Sequence, residues 1–400
     1  MRIFAAAACA ALLLSACQEP AGVGLGLIDE EQSDPRVQTI LLTDLDTVET
    51  SPVTLGIADP NSQVGQSRVL AGSVVDPEFG DASAVAYFDF LQADDLDGSR
   101  TGADVREAWI ELGPGYVYGD TTTSLPLELR PIQGQWEAEG MFPLDTLFDV
   151  GEVLSVTEIM ASDSLRRFDI PEAFLRANAD LFVGDNFSDG FEGFALQVPG
   201  TYMPSPGAVI GLNTFETLGA GMRVVVLEDT LLYPLSDVFT SVQATPPSVP
   251  PSTFIPARSG SGVGIRFDAD FSGVGITPLA NARVLLPLEQ SVLEVGSFVR
   301  PTSSRMLLFG VRTNDEGEDV LTRLAELVIT DDFVGIAEDS RLLTQELQEL
   351  ILDTENQGFE SYEIVPLPTL VGLDVFPVRL PLEGAARPPR ITLTLVGESL

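Results

Sequence analysis

Val105-Arg106-Glu107-Ala108-Trp109-Ile110-Glu111-Leu112 decides the fold. Ala108, Ile110 and Leu112 fall on alternate positions, with Val105 at the entry to the set. Alternate residues of a strand share one face, so this stretch predicts a strand with one side turned to a core. Gly113-Pro114-Gly115 follows it directly. Upstream, the same character marks strands at 37–42, 53–57, 69–76 and 84–90. The third is stopped by Asp76-Pro77, with Gly80 three residues beyond the proline. Downstream, strands are predicted at 125–130, 193–198, 208–212 and 222–227. Between them, Glu158 to Leu181 reads as helical. Pro171 stands at a helix start, and Phe174, Leu175, Ala179 and Leu181 form its stripe.

Thr245-Pro246-Pro247-Ser248-Val249-Pro250-Pro251 interrupts this pattern. Four prolines between 246 and 251 cannot occupy a sheet interior and favour an extended spacer. After it the order of elements repeats. Leu279, Ala282, Val284 and Leu286 answer Val105, Ala108, Ile110 and Leu112, and Arg390 to Leu395 closes the chain as Arg223 to Leu227 closes the first half. A helix fits Ser340 to Thr354, with Ser340 as cap, Leu343, Leu347, Leu350 and Ile351 as stripe, and Gly358 past its end. The expected fold is mainly β: two antiparallel β-sandwich (jelly-roll-like) domains, each with a short helical insertion. Their expected extents are 46–243 and 253–400, joined by a linker over 244–252.

At the other end of the chain, Leu14-Ser15-Ala16-Cys17 follows Arg2 and an apolar run from Ile3 to Leu14. A positive start, a short apolar core and small residues before a cysteine make a bacterial lipoprotein signal over 1–16. Cys17 is the expected lipidation site, and 17–45 reads as a tether. The expected place is the bacterial outer membrane, held through that lipid anchor on the periplasmic or cell-surface side.

Composition removes whole classes of chemistry. There is no His and no Lys; the 21 basic residues are all Arg, and the two cysteines, Cys9 and Cys17, both fall within the first 17 residues. Triads built on His, His-ligated zinc, Schiff bases and the lysine phosphate loop are therefore unavailable. Carboxylate-only catalysis survives, as does oxygen-ligated calcium or magnesium. Against the arginines stand 60 acids, for a net charge of −39. Such a field repels nucleic acid, so none is expected as a partner, and it suits a solvated surface at high salt.

Candidate sites are few. Asp94, Asp95, Asp97 and Asp104 surround Gly98 in a loop that could hold Ca2+, the one cofactor considered. The helix-loop-helix calcium pattern is broken there, because Ala93 stands two residues before Asp95. Trp109 and Trp136, the two tryptophans, could stack on sugar rings, with core or rim packing as their structural alternative. No catalytic pair stands out among the acids.

The lipoprotein signal, Gly72-Ser73-Val74-Val75-Asp76-Pro77-Glu78-Phe79-Gly80, Asp189-Gly190-Phe191-Glu192-Gly193-Phe194, Asn281-Ala282-Arg283-Val284-Leu285 and the acidic turn Asn314 to Asp319 together resemble the uncharacterised DUF4270 lipoproteins of Bacteroidetes-type bacteria. In that family a Gly-x-x-x-Asp-Pro-x-Phe-Gly stretch is typical. The resemblance implies an envelope lipoprotein and carries over no catalytic residue. The first half is also similar, at the level of fold alone, to the sandwich modules that accompany polysaccharide-active proteins. The expected function is therefore a structural, assembly or binding lipoprotein without evident catalysis, with other envelope proteins or glycans as partners. The alternative is a glycan-binding lipoprotein.

Overall fold

A computed structural model describes residues 36–49, 54–56, 68–134, 136, 141–163, 166–184, 187–215, 219–249, 251–259, 263–289, 294–301, 305–314, 316–337, 340–352, 358–366 and 376–396. The signal 1–16, Cys17 and the tether as far as residue 35 lie outside these residues. The molecule is mainly β and its strands pair antiparallel, as alternation predicted. They build one closed barrel and one curled open sheet.

The first body is built from β2 (Thr54–Gly56), β3 (Arg68–Asp76), β4 (Gly80–Phe90), β5 (Val105–Asp120), β6 (Ser124–Pro131), β7 (Met141–Pro143), β8 (Ser155–Met160), β9 (Arg166–Asp169), β10 (Phe194–Gln197), β11 (Gly207–Asn213), β12 (Gly221–Val226), β13 (Asp229–Tyr233) and β14 (Leu235–Ala244). Three short helices interrupt it: α1 (Glu172–Ala177), α2 (Ala179–Phe182) and α3 (Phe187–Gly190). Pro171 precedes α1 as predicted, but the described residues of 158–169 are not helical. β8 and β9 occupy most of that stretch, because Val156, Glu158 and Met160 point outward while Ile159 is buried, a period of two.

β5 runs straight through Gly113-Pro114-Gly115 instead of stopping there. Its first half pairs with β9 and β12, and its second half with β11. The bend lets one strand serve two sets of neighbours. A Cβ on Gly115 would sit 2.7 Å from the Gly211 carbonyl oxygen, so β11 approaches there only because no side chain intervenes. Pairing then runs β13-β12-β5-β11-β3-β4-β10-β6-β8, with β9 on β5 and β14 on β4, and among the described residues no ladder joins β8 to β9. Ala108, Ile110, Leu112, Phe88, Leu127 and Phe194 fill the core of this sheet, and Leu175, Phe182 and Phe187 of the helices join them.

The second body is built from β15 (Ile255–Arg258), β16 (Val263–Ala269), β17 (Leu279–Pro287), β20 (Arg305–Thr313), β21 (Asp319–Ile329), β22 (Val334–Ala337), α4 (Arg341–Leu352), β23 (Ser361–Pro366), β24 (Pro377–Leu380) and β25 (Arg390–Leu395), while β18 (Glu294–Val295) and β19 (Phe298–Val299), from the same half of the chain, pair with each other and with β5 and so extend the first body's sheet. The barrel order of the second body is β1-β16-β23-β20-β21-β22-β17-β25, where β1 is Arg36–Glu49.

That first strand corrects the tether. Residues 36–45, expected to be the end of a linker over 17–45, pair with β16 and β25 on either side. Ile40, Leu42 and Leu45 belong to the same core as Ile265, Phe267 and Leu393. The alternation that marks 37–42 as a strand says nothing of which sheet receives it, and the barrel it completes lies more than 200 residues away in sequence. The 253–400 unit therefore includes a strand from before the first body.

α4 follows its prediction closely. Leu343, Leu347 and Ile351 are buried in the barrel core. The Ser340 hydroxyl accepts from the Leu343 N–H at 3.3 Å and donates to the Leu324 carbonyl at 2.7 Å. The helix covers a gap in the barrel wall. β22 pairs with β17 only from Val284 to Pro287, so the earlier part of that edge of β17 has no strand beside it among the described residues. There α4 supplies acceptors: Thr344 Oγ1 takes the Ala282 N–H at 3.2 Å, and Gln348 Oε1 takes the Leu279 N–H.

Candidate functional site

The densest polar cluster among the described residues lies where the two bodies meet, on the Asp76-Pro77-Glu78-Phe79-Gly80 turn between β3 and β4. Asp76 ends β3, and its carboxylate accepts five hydrogen bonds. Oδ1 takes the N–H groups of Glu78 at 2.9 Å and Phe79 at 3.3 Å, which close the turn, and Arg300 Nη2 at 3.0 Å. Oδ2 takes Arg300 Nε at 2.7 Å and the Tyr118 hydroxyl at 3.0 Å. The Asp76 side chain is 0% exposed and that of Arg300 4%. Two opposed forces act on this carboxyl. Burial pushes its pKa up, but the bonds and charge of Arg300, with the Glu78 N–H and Tyr118 hydroxyl, hold it below the ordinary carboxylate range. Burial raises the Tyr118 phenol, which stays protonated and donates.

Two more arginines from the second body grip the same turn. Arg258, at the end of β15, donates to the carbonyls of Phe79, Gly80 and Asp81. Arg379, on β24, pairs with Glu78. Aromatic rings fill between them: Phe79 lies 6.0 Å from Phe254, and the Arg300 guanidinium stands 5.8 Å over Phe79 and 5.2 Å over Phe298. β19 adds backbone pairing, Val299 to Gly119 and Phe298 to Asp120. The proline-rich stretch is part of this junction, not a free spacer. Thr245 donates its N–H to the Asp81 carbonyl, and a Cβ on Gly80 (φ +77°) would lie 2.2 Å from Thr245 O.

The residues singled out from sequence do not converge. Asp97 and Asp104 accept hydrogen bonds from Ser99 and Thr101 in their own loop, and these bonds lower both carboxyls. Asp94 and Asp95 are exposed in the same loop. Among the described residues no three Asp or Glu side chains are grouped to hold a metal ion. Trp136 is 2% exposed, packed against Tyr87 and Phe148, and its ring N–H donates to the Glu192 carbonyl. It is a core residue. Trp109 is half-buried on the outer side of β5, donates to Glu111 at 2.8 Å, and carries the Arg167 guanidinium 4.2 Å above its ring. One ring face is thus already covered. An open groove of about 560 Å3 beside the junction is lined by Ser73, Asp81, Ser83, Asp145 and Gln243 over Ala82, Leu144 and Val242, with no aromatic platform.

The sequence marked the turn but missed its three arginines. A signal was present. In a chain with 60 acids and 21 cations, an arginine between apolar neighbours, as in Val299-Arg300-Pro301 and Val378-Arg379-Leu380, announces a buried partner, whereas Arg258, followed by Ser259, carries a weaker signal.

Among the described residues no helix is long and apolar enough to cross a membrane. No family model matches the chain, and no curated protein matches it. Two solved structures give faint similarity. The N-terminal CBM22-1-CBM22-2 tandem domain of Paenibacillus barcinonensis Xyn10C is 8% identical, covers 87% of this chain and all of its own, and has a TM-score of 0.16. The Macrobrachium rosenbergii nodavirus structure is 8% identical, covers 93% of this chain and all of its own, and has a TM-score of 0.12. At such scores neither supports an argument about fold or function.

Proposed function

We propose that this chain is a lipid-anchored envelope lipoprotein of the outer membrane that works by assembly or binding and not by catalysis, with its two β bodies acting as one unit. Membership of the DUF4270 family is part of the proposal and rests on Gly72 to Gly80. The observation that carries the reading is the use made of that turn. Its only buried carboxylate is committed to Arg300, and Arg258 and Arg379 bind the rest of it to the second body. A joint of that cost is what a part that must transmit position requires, since relative motion is the default for linked domains.

The test is fractionation. Cys17→Ser is expected to move the protein from the washed outer-membrane pellet to the soluble fraction and to abolish labelling by a fatty-acid probe. A variant that still pellets after washing would overturn the anchoring.

A further inference from the structure

β21 pairs with β20 from Asp319 to Val328, but with β22 only at Val328 and Ile329. Among the described residues its other edge has no ladder from Asp319 to Arg323. Two apolar side chains stand exposed there, Val320 at 47% and Leu321 at 39%. Proteins usually guard such edges with proline, lysine or a bulge. This one has no proline, lysine or bulge between 319 and 323, only the opposite charges of Asp319 and Arg323; the register shift in β21 comes only after Arg323.

We propose that this edge pairs with the same edge of a second copy, antiparallel, about a two-fold axis through Leu321. The proposal rests on the assembly reading above and gives that assembly its partner. The sequence Asp319-Val320-Leu321-Thr322-Arg323 is complementary to itself when reversed. Leu321 meets Leu321 of the partner subunit, Val320 meets Thr322 of the partner subunit, and Asp319 meets Arg323 of the partner subunit. Directly opposed residues on paired strands share a face, so each carboxylate faces a guanidinium twice across the axis. Shifting the centre to Val320 or Thr322 loses both ion pairs, and a one-residue slip turns the outer face of one copy inward. The charges already present extend the match. Arg266 holds Asp319 at 2.6 Å, and Glu326 holds Arg323 at 3.1 Å. Pairing thus creates a row of alternating sign, Arg266, Asp319, Arg323 of the partner subunit, Glu326 of the partner subunit. In a chain of net charge −39, such local alternation is what overcomes the general repulsion between copies, and salt should favour the pairing further.

The experiment is sedimentation equilibrium of the full unlipidated Cys17→Ser chain, so that anchoring and pairing are read separately. A two-strand contact is small, which places the dimer at the weak end of specific interfaces, measurable up to about 100 µM. Arg323→Asp sets like charges opposite each other at both ends and should weaken the dimer by roughly 10-fold or more. Adding Asp319→Arg to it should restore the dimer. Leu321→Glu, at an exposed position that folding tolerates, should also abolish it. A chain that stays monomeric up to about 100 µM in high salt overturns the proposal. So does a dimer indifferent to Arg323→Asp and Leu321→Glu, since it would use another face.

Discussion

Both β bodies curl their strands around an apolar core and add helical residues to it, yet they close in different ways. The second joins its strands by a continuous ladder, and where β22 is too short it lays α4 along β17. The first leaves β8 and β9 without a ladder between them among the described residues. Two side chains span that seam. The Ser155 hydroxyl donates to the Asp169 carbonyl at 3.1 Å, and Arg166 donates to Ala161 O at 2.9 Å and to Gly211 O, on β11, at 2.8 Å. Arg166 is 2% exposed. Backbone ladders share closure among many weak bonds. The first body concentrates it in two side chains, of which only the arginine is buried and charged, and such a seam is sensitive to a single substitution.

The strongest way to break the comparison is to separate the bodies. Arg300→Ala leaves Asp76 buried and without its main counter-charge, a loss of about 3–5 kcal/mol. It is expected to lower the urea midpoint and to split one unfolding transition into two. pH sharpens the same test. The Asp76 carboxyl is lowered in the folded state, so its contribution is fully present above the ordinary carboxylate pKa of about 3.9 and is lost as pH falls through the folded value. The wild-type protein should therefore lose junction stability only in strong acid, and Arg300→Ala should flatten that acid limb. A single transition with an unchanged limb would show that the bodies are coupled elsewhere.

Arg166→Met comes next, at about 1–3 kcal/mol. Two carbonyls lose their charged donor, but burial already lowers the pKa of this arginine, so its removal also relieves a desolvation cost. Hydrogen exchange should rise first in β8 and β9, while β16, β23 and β25 keep their protection. Uniform change across both bodies would remove the distinction between a seam held by two side chains and a wall held by many backbone bonds.

Much of this contrast was hidden in the sequence. Alternation revealed the strands, so Arg390–Leu395 has its predicted bounds, and Ser340 was recognisable as a cap. The expected repeat is not matched in element order. Ala108 pairs with Val224 and Ala282 with Leu393, but Arg223 to Leu227 does not close the first half, because β13 and β14 follow β12, and β14 pairs with β4. What alternation cannot carry is partnership. It shows that one face of 37–42 is buried, but the burying barrel is assembled mostly from residues after 255. It gives no means of telling a sandwich from a barrel, because both need one apolar face per strand. The candidate site divided along the same line: the turn Asp76 to Gly80 is local and was legible, while the arginines that bind it come from 177 to 301 residues away.

The smallest effect separates two roles for α4. Leu343, Leu347 and Ile351 anchor it by burial alone, and a helix held only that way would need no particular residue on its strand-facing side. Thr344 and Gln348, one turn apart, instead accept the N–H groups of Ala282 and Leu279 on the edge of β17 away from β25, which has no neighbouring strand there among the described residues. If the helix stands in for missing ladder, Thr344→Ala and Gln348→Ala should each cost about 0.5–1.5 kcal/mol. Their exposed neighbour Gln345→Ala should cost almost nothing. The decisive measurement is amide exchange at those two positions. Leu279 and Ala282 should exchange faster in the variants, while the β17 amides directed at β25 stay protected. Unchanged exchange at Leu279 and Ala282 would reduce α4 to a packed helix and leave the gap in the barrel wall closed by burial alone.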